Sequence, residues 1–378
     1  IGRTNKLSTV NNPLGGSFVI NYEKQPVTFD NPHPKWAMTA VTVNDGRDLA
    51  NDGADVFTKS FVYSNGKYDR RERAFYGYET VEVNEVLNTT TSRKSVTKYH
   101  NKSYFLEGLV KETAVYKVFN STPELYSKSE NTYEVRETKA LDGTFDFGST
   151  LPLTFDVGGK EGRRQAGVLL TKSVNKVYEF GTTPITSEIV FKYDGFGRVE
   201  EYTNKGDISN PNDDYKSVIN YHSGLNNNLI NIPKKIEVFT GPTLANLVRQ
   251  REITNVNTNT GAILTVKTKL NSNVYAQTDM TYDVYGNLKT IAYPQTSFGQ
   301  MTYNYTYDTT LNKYLIEVKD AFGYKSSSTY DYNFDVVLNT TDRANNVINY
   351  QYDNIGRLTK IIAPKEAYNS DPYTISFQ

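Results

Sequence analysis

The C-terminal half of the chain alternates apolar and polar residues with a period of two. The clearest stretch is Ile348-Asn349-Tyr350-Gln351-Tyr352, which predicts a β-strand with Ile348, Tyr350 and Tyr352 on one face. Asp353 then takes the first position of a turn and Gly356 the fourth, and a second strand opens at Arg357. Asp suits the first position because its carboxylate accepts backbone amides; Gly suits the fourth because it tolerates positive φ. The same order stands at residues 189–199, with Tyr193, Asp194, Gly197 and Arg198, and at residues 280–288, with Tyr282, Asp283 and Gly286.

Tyr-Asp doublets recur at Tyr282-Asp283, Tyr307-Asp308, Tyr330-Asp331 and Tyr352-Asp353, their aspartates 25, 23 and 22 residues apart. Further turn signals fall between them, at Asp320-Ala321-Phe322-Gly323 and Asp342-Arg343-Ala344-Asn345-Asn346. Each repeat is therefore about one hairpin. A lone hairpin is marginal in water, so such units must pair edge to edge or stack. The expected fold is all-β, built of consecutive antiparallel hairpins. Thr243-Leu244-Ala245-Asn246-Leu247-Val248-Arg249-Gln250 is the one short helix candidate.

Residues 1–183 are less regular, although Asn12-Pro13-Leu14-Gly15-Gly16 carries the same turn signal ahead of an alternating strand. A boundary is expected near Thr182-Thr183-Pro184, with the regular repeats filling 184–378. The chain opens at Ile1 without an initiator Met or signal peptide, which suggests a piece of something longer.

Composition narrows the chemistry. Of 378 residues 37% are hydrophobic, yet 30 are Tyr, so burial must lean on tyrosine rings. Forty-two Lys and Arg balance 42 Asp and Glu, which leaves no long-range field to gather nucleic acid or an acidic membrane surface. Zero cysteines exclude disulfides, thiolate zinc and cysteine nucleophiles. No run of apolar residues is long enough for a spanning helix.

Candidate sites favour structure over chemistry. His33, His100 and His222 are far apart and hold no metal-ligand spacing. Gly158-Gly159-Lys160-Glu161-Gly162 lacks the ending of a phosphate loop and reads as a connection. Asp207-Ile208-Ser209-Asn210-Pro211-Asn212-Asp213-Asp214 gathers oxygen ligands that could hold calcium, but reads better as a polar turn. The periodicity of Asp194, Asp283, Asp308, Asp331 and Asp353 points to turn capping in every copy instead of acid–base pairs. Arg70, Arg71 and Arg73 around Glu72 read as a solvated or paired charge cluster. Exposed tyrosines could also stack on sugars. No catalytic residue, cofactor site or metal site is assigned.

The pattern Tyr-Asp-x-x-Gly-Arg-Leu-Thr at Tyr352 to Thr359 resembles the signature of RHS/YD-repeat proteins. Independently, Tyr68-Asp69-Arg70-Arg71-Glu72-Arg73-Ala74-Phe75-Tyr76-Gly77-Tyr78-Glu79-Thr80-Val81 is similar to the middle region of the B component of insecticidal toxin complexes, with Arg70 where that family has glycine. Leu106-Glu107-Gly108-Leu109-Val110-Lys111-Glu112 resembles the stretch that follows there.

The resemblance implies a curved or spiralling sheet, part of a hollow shell that encloses a C-terminal effector, often a toxin. The family's self-cleaving core would lie beyond Gln378. The expected function is that of a non-enzymatic, secreted or cell-surface shell segment. Its partners would be the RHS core and effector of the same polypeptide, and other toxin-complex or secretion components. A cell-surface adhesin or glycan-binding module built from the same repeats is the alternative.

Overall fold

The computed structural model describes residues 5–13, 15–33, 35–46, 56–87, 90–119, 122–141, 144–151, 166–178, 181–226 and 229–377. The chain forms two compact units, one of Ile1–Val218 with Val238–Leu247, the other of Ile219–Glu237 with Val248–Gln378. Residues 182–184 lie inside the first unit, between the strands Ala166–Val177 and Ile185–Tyr193, which pair with each other.

The fold is all-β, as the alternating pattern predicts. In the first unit long strands follow one another in antiparallel register. Val56–Asp69 pairs with Ala74–Leu87, which pairs in turn with Thr90–Tyr99, Val110–Phe119 and Thr122–Leu141 successively. In the second unit the strands Tyr275–Tyr282, Leu288–Ala292, Thr302–Tyr307, Leu315–Asp320, Lys325–Asp331, Val336–Thr341, Val347–Tyr352 and Leu358–Ile362 each pair with the next. The alternation survives in detail: Tyr303, Tyr305 and Tyr307 are half-buried while Asn304 and Thr306 are exposed.

Most strand residues are half-buried. The fully buried apolar side chains among the described residues are Tyr76, Leu106, Ala114, Val135, Leu169, Ile253 and Tyr314. One small core joins Leu106 and Val135 with Phe105, Leu109, Tyr133, Ala166 and Val168. Leu106 belongs to residues 100–109, which fold back between Thr90–Tyr99 and Val110–Phe119. This connection is closed by His100 N–H donating to the Leu109 carbonyl at 2.9 Å and Gly108 N–H to the His100 carbonyl at 2.9 Å.

Ion pairs run across the strands of the first unit. Glu112 takes Lys98 at 3.0 Å and Lys128 at 2.9 Å, and Glu130 takes Lys128 at 3.0 Å and Lys176 at 2.9 Å. Burial alone would raise the Glu112 carboxyl, but its two lysines outweigh this and hold it below the ordinary glutamate range.

The expectation about a helix is corrected. Residues 246–250, expected as helix, belong to the strand Asn246–Val256, which pairs with Ile263–Lys269. A helix of eight residues is too short to persist without caps, whereas a neighbouring strand supplies backbone partners directly. Ahead of it, Leu244 sits at φ 51° and donates its N–H to the Gly241 carbonyl in a turn. The short helix that does form is Pro364–Asn369, with Pro at its first position and Ser370 closing it in the left-handed region.

Candidate functional site

The recurring aspartates build one turn many times over. Asp353 N–H donates to the Arg357 carbonyl at 2.9 Å, and Gly356 N–H donates to the Asp353 carbonyl at 3.1 Å. The Asp353 carboxylate accepts Ile355 N–H and Arg357 N–H on Oδ1 and the Arg357 guanidinium on Oδ2. Asp194 with Gly197 and Arg198, and Asp283 with Gly286 and Asn287, repeat this scheme. The intervening Asp342 does so with Asn345 at φ 62° in place of the glycine, and Asp320 with Gly323 keeps the backbone bonds and the two amides on Oδ1. Asn12 and Gly15 make the same two backbone bonds; Leu14 lies outside the described residues.

Two doublets depart from the scheme. Asp308 closes a longer connection: its N–H donates to the Tyr314 carbonyl at 2.9 Å, and its carboxylate accepts the amides of Thr310, Leu311, Lys313 and Tyr314. Asp331 accepts Asn333 N–H alone, in a shorter turn where Asp335 takes positive φ. Both still cap amides, but neither has a glycine at the fourth position.

Burial pushes the Asp308 carboxyl up, yet the four amides outweigh it and hold the group at about 2, against an ordinary value of 3.8. A carboxyl depressed in the fold contributes stability that is present above its unfolded value and lost as pH falls through its folded value. The Asp308 contribution should therefore persist at pH 4 and fade toward pH 2. Carbon-detected NMR of this carboxyl is expected to give a midpoint near 2, and a midpoint at or above the ordinary value would remove the claim.

The tyrosines do what the sequence did not reveal: six of their hydroxyls join a strand to the one before it. Tyr193 donates to the Leu170 carbonyl at 2.7 Å, Tyr282 to Ile263 at 3.0 Å, Tyr330 to Leu315 at 3.0 Å and Tyr352 to Val337 at 2.8 Å. Tyr63 donates to Met38 at 2.8 Å and Tyr133 to Val110 at 2.9 Å by the same rule. Ser64 and Glu134 follow these two, so a search for Tyr-Asp doublets passes over them.

Register explains the rule. In all six cases the ladder to the preceding strand stops three residues before the tyrosine, at Ser60, Glu130, Val190, Asp279, Ser327 and Asn349. In all six the acceptor is the residue just before an extra one inserted by a β-bulge: Thr39, Lys111, Thr171, Leu264, Ile316 and Leu338. A bulge bends its strand and leaves backbone groups unpaired. The phenol supplies the missing donor, which phenylalanine could not. Tyr307 holds the equivalent place beyond the Thr290/Asn304 pair.

The rungs chain together. Tyr352 bonds Val337, which opposes Tyr330; Tyr330 bonds Leu315, which opposes Tyr307. Burial pushes the Tyr63, Tyr193 and Tyr352 phenols upward, so these donors stay protonated beyond the ordinary range. Replacing Tyr330 or Tyr352 with Phe should cost about 1–3 kcal/mol each, the range for leaving a partly buried carbonyl unpaired. Chemical denaturation would measure it, and an unchanged midpoint in both variants would show that the rungs carry no weight.

Neighbouring turns also touch. The Asn287 side chain donates to the Asn312 carbonyl at 2.7 Å, Lys313 pairs with Asp335 at 2.8 Å, and Phe334 packs against Gly356. Phe196 is stacked under the Arg198 guanidinium at 4.8 Å.

The remaining candidates are placed as follows. His33 lies edge-on to Tyr68, His100 edge-on to Tyr133, and His222 bonds the Ile253 carbonyl through Nε2. Asp207 accepts Ser209 twice, and Asp213 accepts Asp207 N–H, which makes residues 207–214 a turn closed on itself. Asp69 caps Arg71 and Glu72 N–H at the tip of its hairpin, while Arg70 lies over the Phe29 ring. Residues 158–162 lie outside the described residues. Among the described residues no helix is long and apolar enough to cross a membrane.

Comparison with known proteins agrees with this architecture. The family described as the insecticide toxin TcdB middle/N-terminal region matches residues 2–108. No curated protein matches. Crystal structures of TcdB2–TccC3–Cdc42 and TcdB2–TccC3–TEV superpose with TM-scores of 0.66 and 0.67 at 14% identity. The Photorhabdus luminescens Tc holotoxin pore does so with a TM-score of 0.67, also at 14% identity. In each, 94% of this chain is covered but only 24% of the other, so the chain spans about a quarter of the length of the structures it matches. At that identity the likeness is one of fold. In sequence over residues 2–108, and in fold over nearly all its length, the chain resembles the B component of insecticidal toxin complexes.

Proposed function

We propose that the chain is a stretch of wall from a secreted RHS-type toxin or toxin-complex B component, which encloses and presents a C-terminal effector and performs no catalysis itself. Residues 1–183 would be its toxin-B-middle-like part and 184–378 its YD-repeat part. The observation that carries this reading is the run of tyrosine rungs, by which a hairpin completes the backbone bonding of its predecessor. Repetition of that kind yields a continuous surface from units that could not stand alone. The signature residues, from Tyr193 and Asp194 through Tyr352, Asp353, Gly356 and Arg357, thus serve as mortar.

The partners on this reading are the RHS core and effector of the same polypeptide, together with other toxin-complex components of the kind seen with TcdB2. The test is limited proteolysis of the full-length polypeptide. A C-terminal effector should survive protease within the assembled protein and be cut when made alone. Equal cutting rates in the two settings would defeat the enclosure. Turnover of a hydrolase substrate, abolished by one substitution in this chain, would defeat the non-catalytic part.

A further inference from the structure

The first unit holds a polar cleft of about 440 Å³ whose lining includes Asp30, Gly66, Lys67, Glu79, Asn101 and Lys102. Asn101 is only 2% exposed, and its amide nitrogen is already committed to the Asn65 and Gly77 carbonyls at 2.8 and 3.3 Å. That pairing fixes which end of the amide is which, and its Oδ1 has no protein partner. Asn31, 3% exposed, has an unpartnered Oδ1 as well, and so has the buried Tyr78 hydroxyl. It is the Tyr78 ring and the Asn31 amide nitrogen, not these two oxygens, that stand beside Gly66 in the cleft wall. A β-carbon on that glycine would lie 3.0 Å from the Tyr78 ring and 3.1 Å from the Asn31 amide nitrogen.

Asn101 Oδ1, buried in the lining of the cleft and without a protein partner, demands a donor from outside the chain. The rim is charged but balanced: Lys67 pairs with Asp30 at 2.9 Å, and Lys102 reaches Glu79 at only 3.7 Å. A fitting ligand must donate into the base, accept from the lysines at the rim, and carry no net charge. Hydroxyl groups both donate and accept, and several on one ring meet all three demands. The volume falls within the range of small-ligand pockets. We propose that this cleft binds a neutral saccharide, with Asn101 accepting from its hydroxyls, Lys67 and Lys102 donating to them, and Gly66 letting the cleft wall lie close against the Tyr78 ring and the Asn31 amide.

The test is saturation-transfer NMR of the intact chain with glucose, galactose, mannose and N-acetylglucosamine, with and without calcium. Saturable binding of at least one sugar at millimolar concentration is expected. Gly66→Ala, which presses a methyl on the Tyr78 ring and the Asn31 amide and displaces the cleft wall, should weaken it about tenfold or more. Lys102→Ala should do the same, and because that side chain is 76% exposed the variant has no reason to misfold. The proposal is overturned if no sugar saturates, or if both variants bind as the parent does. It is also overturned if a crystal soaked in the sugars shows only water in the cleft, or if calcium alone raises the melting temperature through Asn101.

Discussion

Gly356→Val is expected to destabilise the second unit by about 2–4 kcal/mol, two costs adding at one position. The residue sits at φ 81°, where a β-branched side chain is strained by its own backbone. A Cβ there would also lie 2.9 Å from the ring of Phe334 in the neighbouring turn, tighter than carbon atoms approach without something moving. Gly286 provides the control: its φ is 88°, yet a Cβ would meet nothing within 4 Å. Gly286→Val should therefore cost only the strain, about 1–2 kcal/mol. Equal losses for the two variants in denaturant titrations would show that contact between turns contributes nothing.

Leu106→Ala should cost about 2–5 kcal/mol, the usual range for truncating a buried leucine. Leu106 is 2% exposed and meets Val135, which is equally buried, from a connection lying far away in sequence. The cavity would open between the folded-back residues 100–109 and the strand that carries Val135. Because Asn101 on the same connection bonds the Asn65 and Gly77 carbonyls, the loss should spread to the adjacent hairpin. Hydrogen exchange at residues 65 and 77 would report this, and protection unchanged there would confine Leu106 to a local role.

Much of the fold was legible because its signals are local. Alternation around Tyr352 marks a strand, and Asp353 with Gly356 marks the turn, within eight residues of sequence. What a tyrosine hydroxyl bonds depends on register between strands and on a bulge in another hairpin, and no window of sequence contains that. Tyr63 and Tyr133 escaped for this reason, and the departures at Asp308 and Asp331 were hidden by a doublet that looks the same in every copy. Pro364 opening a short helix was a local signal, obscured by the β-pattern around it. The cleft at Asp30, Gly66 and Asn101 draws on three separate hairpin connections and strands, so only the fold brings it together.

The phenol bonds all point one way, from a later strand to an earlier one. A polypeptide emerging from its amino terminus can thus seal every finished ribbon as the next one arrives, without waiting for distant sequence. Contacts of such short range favour fast, progressive folding. Growth has a direction written into it, and the seam left open at any moment is always at the newest strand.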